Sequence, residues 1–293
     1  MSSILRAIVL IALLLPTAVR AEEASGNAQL QSFLDGLRFE SGTIALPEAH
    51  ATLKLAPEYA YLRATDAQAV LEQLWGNPPD SDVLGLILPQ GRQSLLDEAG
   101  WAVVVTYSDD GHVSDAEAAT IDYASMLRDM QAATRDANEQ RRQHGYDTVE
   151  LSGWAEPPHY DGARNSLYWA KDLVFGGEGA AHTLNYDIRT LGRHGYLSFN
   201  AIAPLDALGQ VRGDMQALLA MADFDAGYRY ADYDATTDRA AAYGVGALVA
   251  GTLAAKSGLF AKIGLVLLKF WKLIALGAVA LAGAVPKLFK RKT

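Results

Sequence analysis

The stretch His182-Thr183-Leu184-Asn185-Tyr186-Asp187-Ile188-Arg189-Thr190-Leu191 has the two-residue period of a β-strand, with Leu184, Tyr186 and Ile188 alternating with polar neighbours. Outward from it, Ser166 to Phe175, Tyr196 to Ala203 and Thr148 to Trp154 read the same way. The turns between them contain Pro and Gly, and connections this short favour antiparallel neighbours. A helix from Leu205 to about Met221 follows, with Leu205, Leu208, Val211, Met215 and Leu218 on one face. Before the strands, Ser114-Asp115-Ala116-Glu117 reads as a capping box. The helix it opens carries a stripe of Tyr123, Met126, Leu127, Met130, Ala133 and Ala137 and ends at Gly145.

The first hundred residues add a helix over Asn27 to Arg38 and a strand pair, Thr43 to Leu46 with Ala51 to Leu55. A second helix, capped by Thr65 or Asp66, runs to Trp75 and stops at Gly76-Asn77-Pro78-Pro79, because proline cannot continue it. Leu84 to Leu88 and Trp101 to Tyr107 read as buried strands. The fold class expected is α+β: an antiparallel strand meander covered by amphipathic helices.

The ends have a different character. Arg6, the apolar run Ala7 to Leu15, Pro16 and the small-residue pattern Val19-Arg20-Ala21 predict a signal peptide over residues 1–21. An extracytoplasmic domain is expected over 22–235 and a membrane anchor with a basic cytoplasmic tail over 236–293. The long apolar segment Ile263 to Val285 fits one crossing, although Lys269 and Lys272 interrupt it. A short hairpin starting at Ala241, or a partly interfacial helix, is the alternative. The expected location is the bacterial inner membrane, with the domain facing the periplasm or exterior.

The formal charge of −9 hides a division. No acid follows Ala255, where Lys256, Lys262, Lys269, Lys272, Lys287, Lys290, Arg291 and Lys292 give +8. Arg6 and Arg20 belong to the signal, so the 34 acids and 15 bases between leave the body at −19. Such a body repels phosphate backbones, which argues against a nucleic-acid partner. Cysteine is absent, which removes thiol catalysis and thiolate metal sites.

Several motifs have a familiar look. Gly42-Thr43-Ile44-Ala45-Leu46, Trp75-Gly76-Asn77-Pro78-Pro79, Asp110-Gly111-His112-Val113-Ser114-Asp115, Gly153-Trp154-Ala155 with Pro158-His159-Tyr160-Asp161, and Leu184 through Arg193 resemble the uncharacterised membrane-anchored bacterial family called domain of unknown function 2167. The resemblance extends through Gly227-Tyr228-Arg229-Tyr230-Ala231-Asp232 to Ala242-Tyr243-Gly244 and the apolar tail, nearly the whole mature chain. It implies an exported, C-terminally anchored protein and brings no activity or catalytic residue with it.

Candidate sites are few. Asp109, Asp110, His112, Asp115 and Glu117 lack the spacing of a calcium loop, so no metal is expected there. No cofactor motif is present, and no nucleophile elbow or His-Glu-x-x-His helix accompanies the histidines. Pro157-Pro158-His159-Tyr160 reads as a turn showing an aromatic and a histidine to solvent. Together with Trp154, Asp161, Trp169, Asn185, Arg189 and Arg193 it forms the candidate binding surface, for an envelope protein or wall component, without chemistry. The same aromatics on antiparallel strands also fit a core. A hydrolase using His159 and Asp161 is the alternative, and it requires those two side chains to converge in one cleft.

Overall fold

The strands expected around His182 to Leu191 form four neighbouring strands, reaching one edge, of a seven-stranded antiparallel sheet. A computed structural model describes residues 29–251 apart from 76, 78, 90, 98, 99, 144 and 178. The expected signal peptide over residues 1–21 and the apolar segment Ile263 to Val285 lie outside the described residues. Among the described residues, no helix is long and apolar enough to cross a membrane. The chain divides into two units, Met1–Arg38 and Phe39–Thr293. In the first, residues 29–35 form helix α1.

In the second unit the sheet order is β3 (Ala60–Arg63), β4 (Val83–Leu88), β5 (Ala102–Ser108), β10 (Tyr196–Pro204), β9 (His182–Leu191), β8 (Ser166–Phe175) and β7 (Val149–Asp161). β7 through β10 are consecutive antiparallel neighbours, as the strand periods and short turns predict. A three-stranded sheet joins β1 (Thr43–Leu46), β2 (Ala51–Lys54) and β11 (Ala222–Phe224), and β6 (His112–Ser114) pairs in parallel with β12 (Ala240–Gly244).

Both faces of the large sheet are covered. On the first, Tyr168, Ala170, Leu184, Tyr186, Ile188, Phe199 and Ala201 pack with the three-stranded sheet and with Val211, Met215 and Leu218 of α4 (Leu208–Leu219). Phe199 alone, fully buried, contributes about 1.5–3 kcal/mol. On the second face, Leu167, Trp169, Leu191 and Tyr196 pack with Val113 and with Val245, Leu248 and Val249 of α5 (Val245–Ala250). Residues 240–250, assigned to the anchor from the sequence, therefore contribute to this core. Gly195, in the β9–β10 hairpin, sits so close to β5 that an added Cβ would lie 1.8 Å from the Ser108 carbonyl oxygen.

Three local expectations are corrected. Pro157 to Asp161 is strand rather than turn: β7 continues through it, pairing His159 with Tyr168 and Asp161 with Ser166. A proline pair is tolerated because β7 is the outermost strand, where a missing N–H breaks no ladder, and register shifts between Leu151 and His159 absorb the misfit. Ser114 to Glu117 opens no helix. Ser114 ends β6, and helix α3 (Tyr123–Gln143) starts later, capped by Asp122, whose carboxylate accepts the amides of Ala124 and Ser125 at 3.1 and 2.9 Å. The Glu117 carboxylate instead accepts the Gly246 amide at 3.0 Å, capping α5. Helix α2 (Ala64–Ala69) starts after Arg63 without a side-chain cap, so neither Thr65 nor Asp66 serves as one, and it widens into a π-turn over Val70–Leu74.

Candidate ligand-binding cavity

Strand alternation sends the residues expected to form one surface to different places. Trp154, Tyr160 and Trp169 pack into the second-face core, and Trp154 Nε1 donates to the Tyr123 carbonyl at 3.3 Å. The Tyr160 hydroxyl donates to Asp115 at 2.8 Å; burial and that carboxylate raise its pKa well beyond the usual phenol range. His159 lies half exposed, stacked on Tyr168 with ring centroids 4.8 Å apart, and its nearest carboxylate is Glu156 at 4.0 Å. Asp161 does not meet it. The Asp161 carboxylate accepts the amides of Ala163 and Arg164 at 2.9 and 3.3 Å, closing the β7–β8 turn.

Asn185 and Arg189 do share the second face, with Asp187 between them. Asn185 Nδ2 donates to Asn200 Oδ1 at 3.0 Å, and Asn200 Nδ2 to Asp187 Oδ1 at 2.8 Å. Lys171 Nζ sits 3.3 Å from the other Asp187 oxygen, an ion pair without hydrogen-bond alignment. The Arg189 guanidinium lies over the Trp169 and Tyr196 rings, 5.3 and 5.2 Å from their centroids. Asn185 and Asp187 are buried, so this row is an interior network.

The described surface instead offers a cavity of 240 Å³ at the end of the sheet. One wall is the β7–β8 turn and adjoining strand ends: Arg164, Asn165, Ser166, Thr190, Leu191 and Leu197. Asn165 holds a left-handed backbone with φ 48°, a conformation asparagine tolerates. The Ser166 hydroxyl donates to the Arg164 carbonyl at 3.0 Å and lies 3.2 Å from Thr190 Oγ1. The opposite wall is the end of α4 and β11, with Leu219, Ala220, Ala222, Asp223 and Phe224, and beyond them Arg229 and Tyr230. Burial first, then Asp115, pushes the Tyr230 hydroxyl up to about 12; it donates to the Val113 carbonyl at 3.1 Å.

Two of the expected residues act on this cavity from behind. Asp161 orders the turn that presents Arg164 and Asn165. Arg193 binds Asp238 through two hydrogen bonds and the Gly227 carbonyl at 3.0 Å, and its amide donates to Tyr228 O at 2.9 Å, fixing the segment that carries Arg229 and Tyr230. Sequence reading missed the lining itself, because residues 164–166, 190–191, 197, 219–220, 222–224 and 229–230 share no short-range pattern. The acidic run is likewise dispersed: Asp109 pairs with Arg239 at 3.6 Å, Asp110 accepts the Tyr243 hydroxyl at 2.6 Å, and Asp115 accepts Tyr160. Among the described residues no cluster of His or carboxylates could hold a metal ion.

The architecture defines a mixed α+β domain, an antiparallel sheet covered on both faces. The chain belongs to the family described as Protein of unknown function (DUF2167), which it matches over residues 38–280. Among solved structures it is similar to cyanobacterial PsbP (CyanoP) from Synechocystis sp. PCC 6803, at 11% identity and a TM-score of 0.35, over 64% of this chain and 92% of that one. It is also similar to the Ran-binding protein Mog1p of Saccharomyces cerevisiae, at 9% identity and a TM-score of 0.31, over 64% and 96%. A third is PA94 of Pseudomonas aeruginosa, a protein of unknown function and putative regulator, at 7% identity and a TM-score of 0.22, over 61% and 92%. No curated protein matches the chain in sequence.

Proposed function

We propose that the protein is a binding module of the bacterial envelope, exported by its N-terminal signal, held at the inner membrane by its C-terminal segment, and taking a ligand into the cavity beside Arg164 without chemistry. The observation that carries binding over hydrolysis is the divergence of Asp161 and His159. One closes a turn through backbone amides and the other stacks on Tyr168, so no proton-transfer pair is formed. The envelope location rests on the signal-like pattern ending at Ala21, the acid-free apolar segment after Ala255 and the basic cluster Lys287, Lys290, Arg291 and Lys292, which favours a cytoplasmic C-terminus.

Full-length protein extracted in mild detergent and weighed by native mass spectrometry is expected to carry a small bound molecule that Ala222→Leu, which fills the cavity, removes. A wild type that always flies unliganded would overturn the binding reading. Alkaline phosphatase and a fluorescent protein, fused separately after Thr293, test the topology. Fluorescence without phosphatase activity is expected, and the reverse would favour a hairpin.

A further inference from the structure

We infer that the cavity recognises a small ligand bearing an oxyanion, a carboxylate or a phosphate, on a compact apolar body. This rests on the binding reading above and names the ligand class. The groups facing the cavity are unbalanced toward donors. No carboxylate among the described residues pairs with the Arg164 guanidinium, which approaches the Tyr168 hydroxyl, and among those residues the Asn165 side-chain amide makes no hydrogen bond. With the Ser166 proton given to the Arg164 carbonyl, the Thr190 hydroxyl 3.2 Å away donates to Ser166 Oγ and adds no free donor to the cavity. Arg229 gives Nε to the Phe224 carbonyl at 3.4 Å and one terminal nitrogen to the Asp223 carboxylate at 3.5 Å, keeping its second terminal nitrogen for a ligand.

The opposing charges are fewer. Asp223 is the one carboxylate in the lining; its side chain is 64% exposed and that of its partner Arg229 57%. The C-terminal end of α4 also borders the cavity, but its carbonyls at Gln216 and Leu218 already accept the amides of Ala220 and Met221. Two guanidiniums, solvated like the carboxylate, therefore face a single acidic side chain, and a guanidinium's planar fork matches the paired oxygens of a carboxylate or phosphate. The strongly acidic body repels anions at long range, yet salt screens that repulsion beyond about 8 Å at physiological ionic strength, which leaves the local donors in control inside the cavity.

Size and lining fix the rest of the ligand. Leu219 and Phe224 make part of the wall apolar, and 240 Å³ falls below the roughly 300–1,000 Å³ of a drug-sized site. A single ring or a short chain fills it.

The test titrates the full chain in detergent with benzoate and phenyl phosphate, and with benzyl alcohol and benzylammonium as neutral and cationic counterparts. The readout is the backbone amide resonances of Thr190, Leu191 and Phe224. Saturable shifts are expected with at least one anion at a Kd below about 1 mM, weakened about tenfold or more by Arg164→Ala and less by Arg164→Lys. Arg135→Ala, which removes an exposed charge from α3, should leave the affinity unchanged. The tighter of the two anions identifies the oxyanion. Benzyl alcohol or benzylammonium binding as tightly as the anions, or an Arg164→Ala variant that binds them undiminished, overturns the ligand class while leaving a binding cavity. If no probe of any charge shifts these resonances, the ligand class and the binding reading fall together.

Discussion

Arg193 and Asp238, 45 residues apart in sequence, are joined by two hydrogen bonds, Nε to Oδ2 at 2.7 Å and Nη2 to Oδ1 at 2.9 Å. The same carboxylate accepts the Asp234 amide at 2.8 Å, so one ion pair ties the β9–β10 hairpin to the segment that delivers Arg229 to the cavity. The guanidinium beside Asp238, helped by that amide, holds its carboxyl well below the usual carboxylate range.

Arg193→Ala should therefore speed hydrogen exchange across residues 228–238 by roughly tenfold or more, while amides of β8 and β9 keep their protection. The sign of the pH dependence follows from the depressed pKa. The contribution is present above the ordinary aspartate value near 3.9 and is lost as pH falls through the lower folded value. On acidification below about pH 4 the wild-type exchange pattern should approach that of the variant. Equal exchange in the two proteins at neutral pH would show that the clamp orders nothing.

His112 carries a second pH dependence. Its ring is stacked between Tyr230 and Tyr233, at 4.3 and 3.8 Å between centroids, with Nδ1 buried and lacking a hydrogen-bond partner. Burial lowers its pKa; Asp115 and Asp238 oppose this with smaller effects. The fold therefore favours neutral imidazole. That contribution is complete above the ordinary histidine value near 6.5 and diminishes as pH falls below it, because the unfolded chain then binds the proton more readily. His112→Phe keeps the stack and removes the titration. Between pH 7.5 and 5, the wild-type Tm should fall further than the variant's, as measured by calorimetry. Parallel Tm profiles would exclude His112 as the source.

The strand bounds of β8 and β9 could be read to the residue because glycine-bearing turns bracket them, with Gly162 before β8, Gly176 and Gly177 between the two, and Gly192 after β9. β7 was cut short because Pro157 and Pro158 carry a strong local signal against strand, and only its place at the sheet edge, a tertiary property, cancels that signal. Ser114 and Glu117 have capping-box spacing, yet Glu117 caps a helix 129 residues away in sequence. Choosing Asp161 and Arg193 from the sequence located two supports of the cavity without locating the cavity. Arg164 and Arg229 meet there through the order of the strands, which no local pattern encodes.

The last prediction concerns the edge that those prolines mark. Asn138 of α3 makes with Val149 the pair of bonds that a neighbouring strand would make, Nδ2 to the carbonyl at 2.9 Å and Oδ1 from the amide at 2.8 Å. Gln131 Nε2 bonds the Leu151 and Ser152 carbonyls at 3.1 and 3.2 Å, and Arg141 Nε the Asp147 carbonyl at 2.7 Å. No residue of α3 is fully buried, so polar side chains supply a large part of its attachment to the open edge of β7. Asn138→Leu keeps helix propensity and leaves the partly buried Val149 amide and carbonyl without partners, at a cost of about 1–3 kcal/mol. It also uncovers a strand edge able to pair with another chain. Lower Tm together with concentration-dependent light scattering is the expected result, and Asn138→Asp, which keeps the acceptor, should fall between. A monodisperse Asn138→Leu protein with wild-type Tm would mean that α3 is held by its apolar stripe and that the edge needs no polar cover.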